Sequence, residues 1–282
     1  MVLNFHLNLQ YDKLCLEGLF MNKTERKMLD ILKCLKEEYD VIAIKAEFEA
    51  EGSRTDELVM LNEIIFRADM KLYVKIGGCE AVRDLDQCRM LGASGIMAPM
   101  IESPFAMKKF VGAANKVYGD AVDDIEWIIN AETTSCHKNL DTILDEAEGF
   151  LSTVSIGRVD LSASMGLSRA EINGDQVFEA TKDIAERCKV RGFQVNFGGG
   201  ISFDAVPFIQ KLYPLNDRFE TRKVVFHASN DEEKLKAGIL KAMEFETLYL
   251  QNKCEFYNRM AVEDQARLKM MAERLEIAGV NM

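Results

Sequence analysis

Runs of strand length and segments of helix length alternate almost from one end of this chain to the other. That alternation narrows its folds to those built from βαβ units. Apolar runs occupy 3–9, 41–47, 71–77, 95–100, 125–132, 153–158, 194–200 and 222–227. Amphipathic segments fall between them: over 54–68, Leu58, Leu61, Ile64 and Ile65 recur at helical spacing, and 83–91 and 104–117 carry similar patterns. Eight strands arranged this way close a (β/α)8 TIM barrel, an α/β fold. The first is the least regular, because Asn4, His6 and Asn8 alternate with apolar residues, and it also fits a place outside the barrel. At 282 residues with 48% hydrophobic composition, the chain has the length and the apolar content of one such barrel. No Ser- or Gly-rich linker divides it, so a single barrel is expected over 1–230.

The remaining residues, 231–282, form an extended C-terminal helical segment that is too long for one closing helix. A strongly apolar first half (Leu235, Ile239, Met243, Phe245, Leu248, Leu250) precedes a stretch in which Leu, Met and Ala mix with charge. Either a closing helix plus a hairpin packs on its own barrel, or the arm crosses to a neighbour and makes a homo-oligomer. A net charge of -11 with no basic stripe argues against nucleic acid as a partner. The seven Cys form no C-x-x-C pair and cannot all pair within one chain, which fits reduced thiols in the cytoplasm. No run of about 18 apolar residues suits a membrane, and no basic segment followed by an apolar run opens the chain.

Two segments carry the chemistry. Ile-Ile-Asn-Ala-Glu (128–132) and Ser-Ile-Gly-Arg-Val-Asp-Leu-Ser (155–162) are strand-like runs that end in Glu132 and Asp160, each just before a helix-like stretch. Side by side in a parallel barrel, two such strand ends aim both acids into one mouth. Two carboxylates, with water and a substrate carboxylate or carbonyl completing an octahedron, suit Mg²⁺ or Mn²⁺.

Other charged residues fall at the same end. In 41–47, alternation places Lys45 and Glu47 on one face, and Lys75 poses the same burial problem one strand on. Arg158 lies beside Asp160, and His227 closes the last predicted strand. Together these make a mouth too charged to serve packing alone, although neutralisation within a buried network is the bland alternative. The run from Gly198, Gly199 and Gly200 into Ile201 and Ser202 sits at a strand-to-helix junction, where backbone N–H groups suit an anion. Ser202 and Asp204 could equally serve only to cap a helix.

Taken together, 96–103 (Ile-Met-Ala-Pro-Met-Ile-Glu-Ser), Asn130-Ala-Glu-Thr-Thr followed by Asn139-Leu-Asp-Thr-Ile, and 156–166 with its Gly-x-x-Asp-Leu-Ser element resemble the HpcH/HpaI aldolase and citrate lyase family. The resemblance runs over about 40–200. It implies a barrel that uses a divalent metal to hold a 2-oxo acid or acyl-CoA and stabilises an enolate during C–C cleavage or condensation. By motif match, it places the metal-binding glutamate on Glu132, the metal-binding aspartate on Asp160 and an early-strand acid on Glu47. Three positions depart from the pattern. Lys75 stands where the aldolases carry an arginine, Phe48 where they carry a catalytic histidine, and Lys45 where they carry an acid.

The expectation is a metal-dependent carbon–carbon lyase or aldolase acting on a pyruvate- or oxaloacetate-like acid or an acyl-CoA. Glu132 and Asp160 hold the metal, Lys75 and Lys45 add charge, and Glu47, or else Glu49 or Glu51, accepts the proton. Glu102 and Ser103 could contact a second substrate, with Arg158 and Gly199 also binding substrate. A Schiff-base aldolase using Lys45 or Lys75 is one alternative. A non-catalytic barrel subunit that binds metal and ligand is the other.

Overall fold

The computed structural model describes residues 21–277. Within them, eight strands and nine α-helices follow one another as β1 (Val41–Glu47), β2 (Lys71–Lys75), β3 (Gly95–Ala98), β4 (Glu126–Ala131), β5 (Thr153–Gly157), β6 (Gln194–Gly198), β7 (Arg218–Glu220) and β8 (Val224–His227). The helices are α1 (Lys23–Glu38), α2 (Thr55–Arg67), α3 (Val82–Leu91), α4 (Pro104–Tyr118), α5 (Thr134–Glu146), α6 (Arg158–Ser164), α7 (Asp175–Val190), α8 (Val206–Leu212) and α9 (Glu232–Ile277). Local chemistry sets the boundaries. Asn22 and Glu25 cap α1 reciprocally, each accepting from the other's backbone N–H at 2.8 Å. Ser103 caps α4 with Pro104 in its first turn, and Gly92, at φ 66°, ends α3. The predicted strand at 3–9 lies outside the described residues.

β1 to β6 are parallel neighbours in sequence order, and β8 returns beside β1. The ring is nearly closed at β6 and β7, where the Asp217 N–H donates to the Val195 carbonyl at 2.8 Å and the Asp217 carboxylate accepts from the Val195 N–H at 2.7 Å. This is the expected TIM-type barrel with one altered direction. β8 runs antiparallel to β1, pairing Val41 with Phe226 and Ile44 with Val224, and β7 and β8 form a hairpin. β8 therefore begins at the mouth and ends at the opposite end. His227, expected at the mouth, lies there instead, exposed, its N–H donating to the carbonyl of Asp40 just before β1. The short β7 was not expected from the sequence at all.

Alternation along the strands separates two cores. Outward residues such as Ile44, Val74, Ile96, Ile129, Val154 and Phe197 pack under the helices. Inward, Ala43, Tyr73, Met97, Ile128 and Val225 form a small apolar plug. Below that plug the Tyr73 hydroxyl donates to Glu126 at 2.5 Å, Thr153 donates to it at 3.0 Å, and Arg218 pairs with it. Burial would raise the Glu126 carboxyl, but these partners outweigh it and hold its pKa below the ordinary glutamate value.

A group depressed in the folded state contributes stability that is present above its unfolded pKa of about 4.3 and lost as pH falls through the folded value. The thermal midpoint is accordingly expected to fall below about pH 4, and Glu126→Gln to make that fall shallower in melts followed by circular dichroism.

The C-terminal segment corrects the expected closing helix and hairpin. It is one continuous helix of 46 residues, roughly 70 Å long. Gly238 is the one glycine in it and no proline interrupts it, so nothing breaks the helical ladder. Gly238 also lets α9 approach the barrel, since a Cβ there would lie 3.1 Å from the Phe226 ring and 3.3 Å from Tyr39. Leu235, Ile239, Ala242, Phe245 and Tyr249 are buried on the barrel side, whereas residues 258–274 are all exposed. No described helix is long and apolar enough to cross a membrane.

Candidate active site

The parallel strands end in a cavity of about 500 Å³ at the mouth. β1 contributes Lys45 and Glu47, β2 Lys75, β4 Asn130 with Glu132 just beyond it, and β5 Ser155 and Gly157. Asp160 comes from the first turn of α6, Gly198 to Ile201 from the end of β6, Glu220 from β7, and Met243 and Glu246 from α9. Register explains the floor: Asn130, Ser155 and Asn196 are direct neighbours across β4, β5 and β6, so their side chains share one inward row.

Glu132 is almost wholly buried. Its Oε1 accepts from the Met100 N–H at 3.1 Å, its Oε2 from Asn130 Nδ2 at 2.9 Å, and Lys75 Nζ lies 3.7 Å from Oε2. The glycine of the Gly-x-x-Asp element makes room for it. A Cβ on Gly157 would lie 2.6 Å from Glu132 Oε2 and 2.8 Å from its Cβ, so no other residue fits without displacing the carboxylate. Burial pushes the Glu132 carboxyl above the ordinary glutamate value; Lys75 and the two hydrogen bonds oppose this, and nearby Asp160 adds to it.

The lysines are committed. Lys45 Nζ lies 2.5 Å from Glu220 Oε1 and 3.4 Å from Glu47 Oε1, and Lys75 Nζ lies 2.7 Å from Glu49 Oε2. Burial would lower both ammonium groups, but the acids outweigh it, chiefly Glu220 for Lys45 and Glu132 for Lys75. Both pKa values are held above the ordinary lysine value.

Lys45, Glu47, Lys75, Glu132, Asp160 and Gly199 thus share the cavity lining. Arg158, expected to bind substrate, does not. It is wholly buried beneath β6, donating to the carbonyls of Gly198 (3.2 Å) and Gly199 (2.6 Å) and to Asn173 (2.8 Å), with its guanidinium 4.3 Å from the Phe208 ring. Glu102 and Ser103 lie off the cavity: Glu102 accepts from the Thr133 hydroxyl at 2.6 Å, and Ser103 caps α4. Sequence reasoning missed Glu220, which accepts from Asn196 at 2.7 Å, along with Asn130, Arg169 and Arg222. Glu220 was hidden by the brevity of its three-residue strand.

Glu132 and Asp160 fit a hard divalent cation. Among the described residues no group of three or more His, Cys, Asp or Glu could hold a metal. Two carboxylates completed by water and substrate oxygens are, however, a usual magnesium arrangement. The oxygens of Glu132 are oriented by backbone and amide donors, and its raised pKa reflects a buried charge that a cation would relieve.

Solved structures share this fold. An HpcH/HpaI aldolase from Desulfitobacterium hafniense DCB-2 is similar with a TM-score of 0.57 at 17% identity, over 77% of this chain and 87% of that one. An HpcH/HpaI aldolase/citrate lyase family protein from Burkholderia cenocepacia J2315 gives 0.52 at 15% identity, over 77% and 99%. RipC from Yersinia pestis gives 0.50 at 14%, over 73% and 88%. No curated protein matches the chain. The family model described as HpcH/HpaI aldolase/citrate lyase, a group of carbon–carbon lyases that generally depend on a divalent metal, matches residues 16–198. On that match, the chain belongs to the HpcH/HpaI aldolase/citrate lyase family.

Proposed function

We propose that the protein is a metal-dependent carbon–carbon lyase or aldolase that acts on a small 2-oxo acid of the pyruvate or oxaloacetate type. The observation that carries this reading is the presence of Glu132 and Asp160 on one cavity, with the Lys75 ammonium beside Glu132. A Mg²⁺ or Mn²⁺ ion held by those two carboxylates would supply Lewis acidity toward the substrate's carboxylate and carbonyl. Lys75, kept protonated by Glu132 and Glu49, adds positive charge where the carbonyl oxygen becomes anionic. Glu47 is the proton acceptor. It faces the cavity from the end of β1, 3.4 Å from Lys45, and does the work that a histidine at Phe48 would otherwise do. Phe48 instead packs against the apolar core.

The committed state of both lysines speaks against a Schiff base, because an amine must be neutral to attack a carbonyl. Proton NMR of pyruvate in D₂O is expected to show methyl exchange that requires Mg²⁺ or Mn²⁺ and stops in EDTA. Exchange that persists in EDTA, or a pyruvate adduct on lysine trapped by borohydride, would overturn the proposal. Metal-dependent pyruvate binding with no exchange would favour a non-catalytic subunit.

A further inference from the structure

We propose that Glu220 is a positioning residue for proton transfer: it holds the Lys45 ammonium off Glu47 and so leaves that carboxylate free to accept the substrate proton; this rests on the reading above. Strand pairing puts the three groups on one inward patch. Glu220 on β7 pairs with Val225 on β8, Val225 pairs with Ala43 on β1, and Lys45 and Glu47 follow Ala43 on the same face of β1. The corner between β7 and β8 fixes this register, because the Lys45 N–H donates to the Lys223 carbonyl at 2.7 Å.

The seat of Glu220 is built as closely as that of Glu132. Gly157 and Gly198 are register partners at the ends of β5 and β6. As Gly157 leaves room for Glu132, Gly198 leaves room for Glu220: a Cβ there would lie 2.7 Å from Glu220 Cγ and 3.2 Å from its Oε1. Both carboxylate oxygens of Glu220 are engaged. Oε1 accepts from Lys45 Nζ at 2.5 Å, and Oε2 accepts at 2.7 Å from Asn196 Nδ2, which also donates to Ser155 at 2.8 Å.

Glu47 stands outside this bond, 3.4 Å from Lys45 Nζ, and no closer ion pair holds it among the described residues. Three further cations act on it through space: Lys75 from β2, and Arg222 and Lys223 from the hairpin corner. Each has an acid of its own, Glu49 at 2.7 Å for Lys75 and a shared Glu51 for Arg222 and Lys223. Glu220 does for Lys45 what Glu49 and Glu51 do for the others, and Glu47 is left with no cation closed upon it. A carboxylate gripped by an ammonium at hydrogen-bond distance is a weak base, because the ion pair stabilises its charged form. In the reaction a proton passes from the methyl carbon of pyruvate to a Glu47 oxygen, and the C–H electron pair passes into the enolate. Without Glu220, Lys45 is left with Glu47 and closes on it, and that transfer slows.

Methyl exchange of pyruvate in D₂O, followed by NMR on the full chain with Mg²⁺ or Mn²⁺ over a range of pyruvate concentrations, tests the role. Glu47→Gln is expected to abolish exchange. Glu220→Gln is expected to lower the limiting rate roughly 10- to 100-fold while the half-saturating pyruvate concentration moves less than about threefold. Gly198→Ala, which keeps the acid but displaces it, is expected to lower the rate in the same way. Adding Lys45→Met to Glu220→Gln removes the ammonium and is expected to restore most of the rate, a rescue that general damage to the barrel could not give. Melting curves give a reading without substrate: Lys45→Met alone is expected to melt lower than the double variant, because it leaves Glu220 buried without the lysine. An unimpaired Glu220→Gln, no rescue in the double variant, or a double variant that melts below Lys45→Met would overturn the role of Glu220 and leave the metal-centred reading standing. Exchange that survives in Glu47→Gln would overturn Glu47 as the acceptor, and Glu220 with it. No exchange in the wild type with either metal would remove the reading above and this proposal together.

Discussion

On the proposed function, Mg²⁺ is expected to raise the thermal midpoint of the wild type, and Glu132→Gln to abolish that gain and to reduce the expected exchange of pyruvate protons by on the order of 10²- to 10³-fold. The substitution keeps size and shape but removes the buried carboxylate that, with Asp160, would hold the cation in the proposed reaction. Folding should survive. Glutamine presents one acceptor where glutamate presents two, so either the Met100 N–H or Asn130 Nδ2 loses its partner, a cost of about 1–3 kcal/mol. Against that stands relief of a carboxylate whose ionised form is disfavoured by burial, and Lys75 retains Glu49. Melting curves of both proteins, with and without Mg²⁺, read the two effects separately. A variant that keeps the Mg²⁺ shift would show that the ion is held elsewhere.

Cutting the chain after Asp231 is expected to prevent cooperative folding, whereas cutting after Asn258 should move the thermal midpoint by only a few degrees. The first cut removes Leu235, Ile239, Phe245 and Tyr249 from the barrel side, and large buried side chains of this kind contribute roughly 2–5 kcal/mol each. Their sum reaches the whole of a domain's usual margin of about 5–15 kcal/mol. It also removes the Tyr249 ring, which covers the Lys223 ammonium 4.5 Å away and so shields its pairing with Glu51. The second cut removes a stretch whose residues 259–274 are all exposed, and leaves Tyr257 and Lys253 on Glu57. Near-equal melting of the two truncated chains would mean that the first half of α9 does not support the barrel.

Periodicity made β1 to β6 legible, because each is a run of apolar residues followed by a helical pattern. The same alternation placed Lys45 with Glu47 on the inner face. Alternation carries no information about strand direction: Val224 to His227 reads identically whether it climbs or descends, so the pattern alone puts His227 at the wrong end. β7 was invisible because three residues, Arg218 to Glu220, give no repeat to detect. Without it, Glu220, the partner that keeps Lys45 charged, had no address. Arg158 shows a different limit. Its position in the Gly-x-x-Asp element is plain in the sequence, but only packing against Phe197 and Phe208 decides that its head turns away from the mouth. In α9 the missing breakers were there to be read, but its length exceeded what a single closing helix ordinarily needs.

The inverted last strand has a consequence for how this scaffold can change over generations. A regular barrel offers eight loose connections at its rim for remodelling; here only seven lie there, and the seventh is the corner at 221–223 between two paired strands, where an inserted residue would slip their register. That corner is closed to tinkering, so new specificities must come from stretches such as 165–174 and 199–202, which can lengthen without unzipping the sheet.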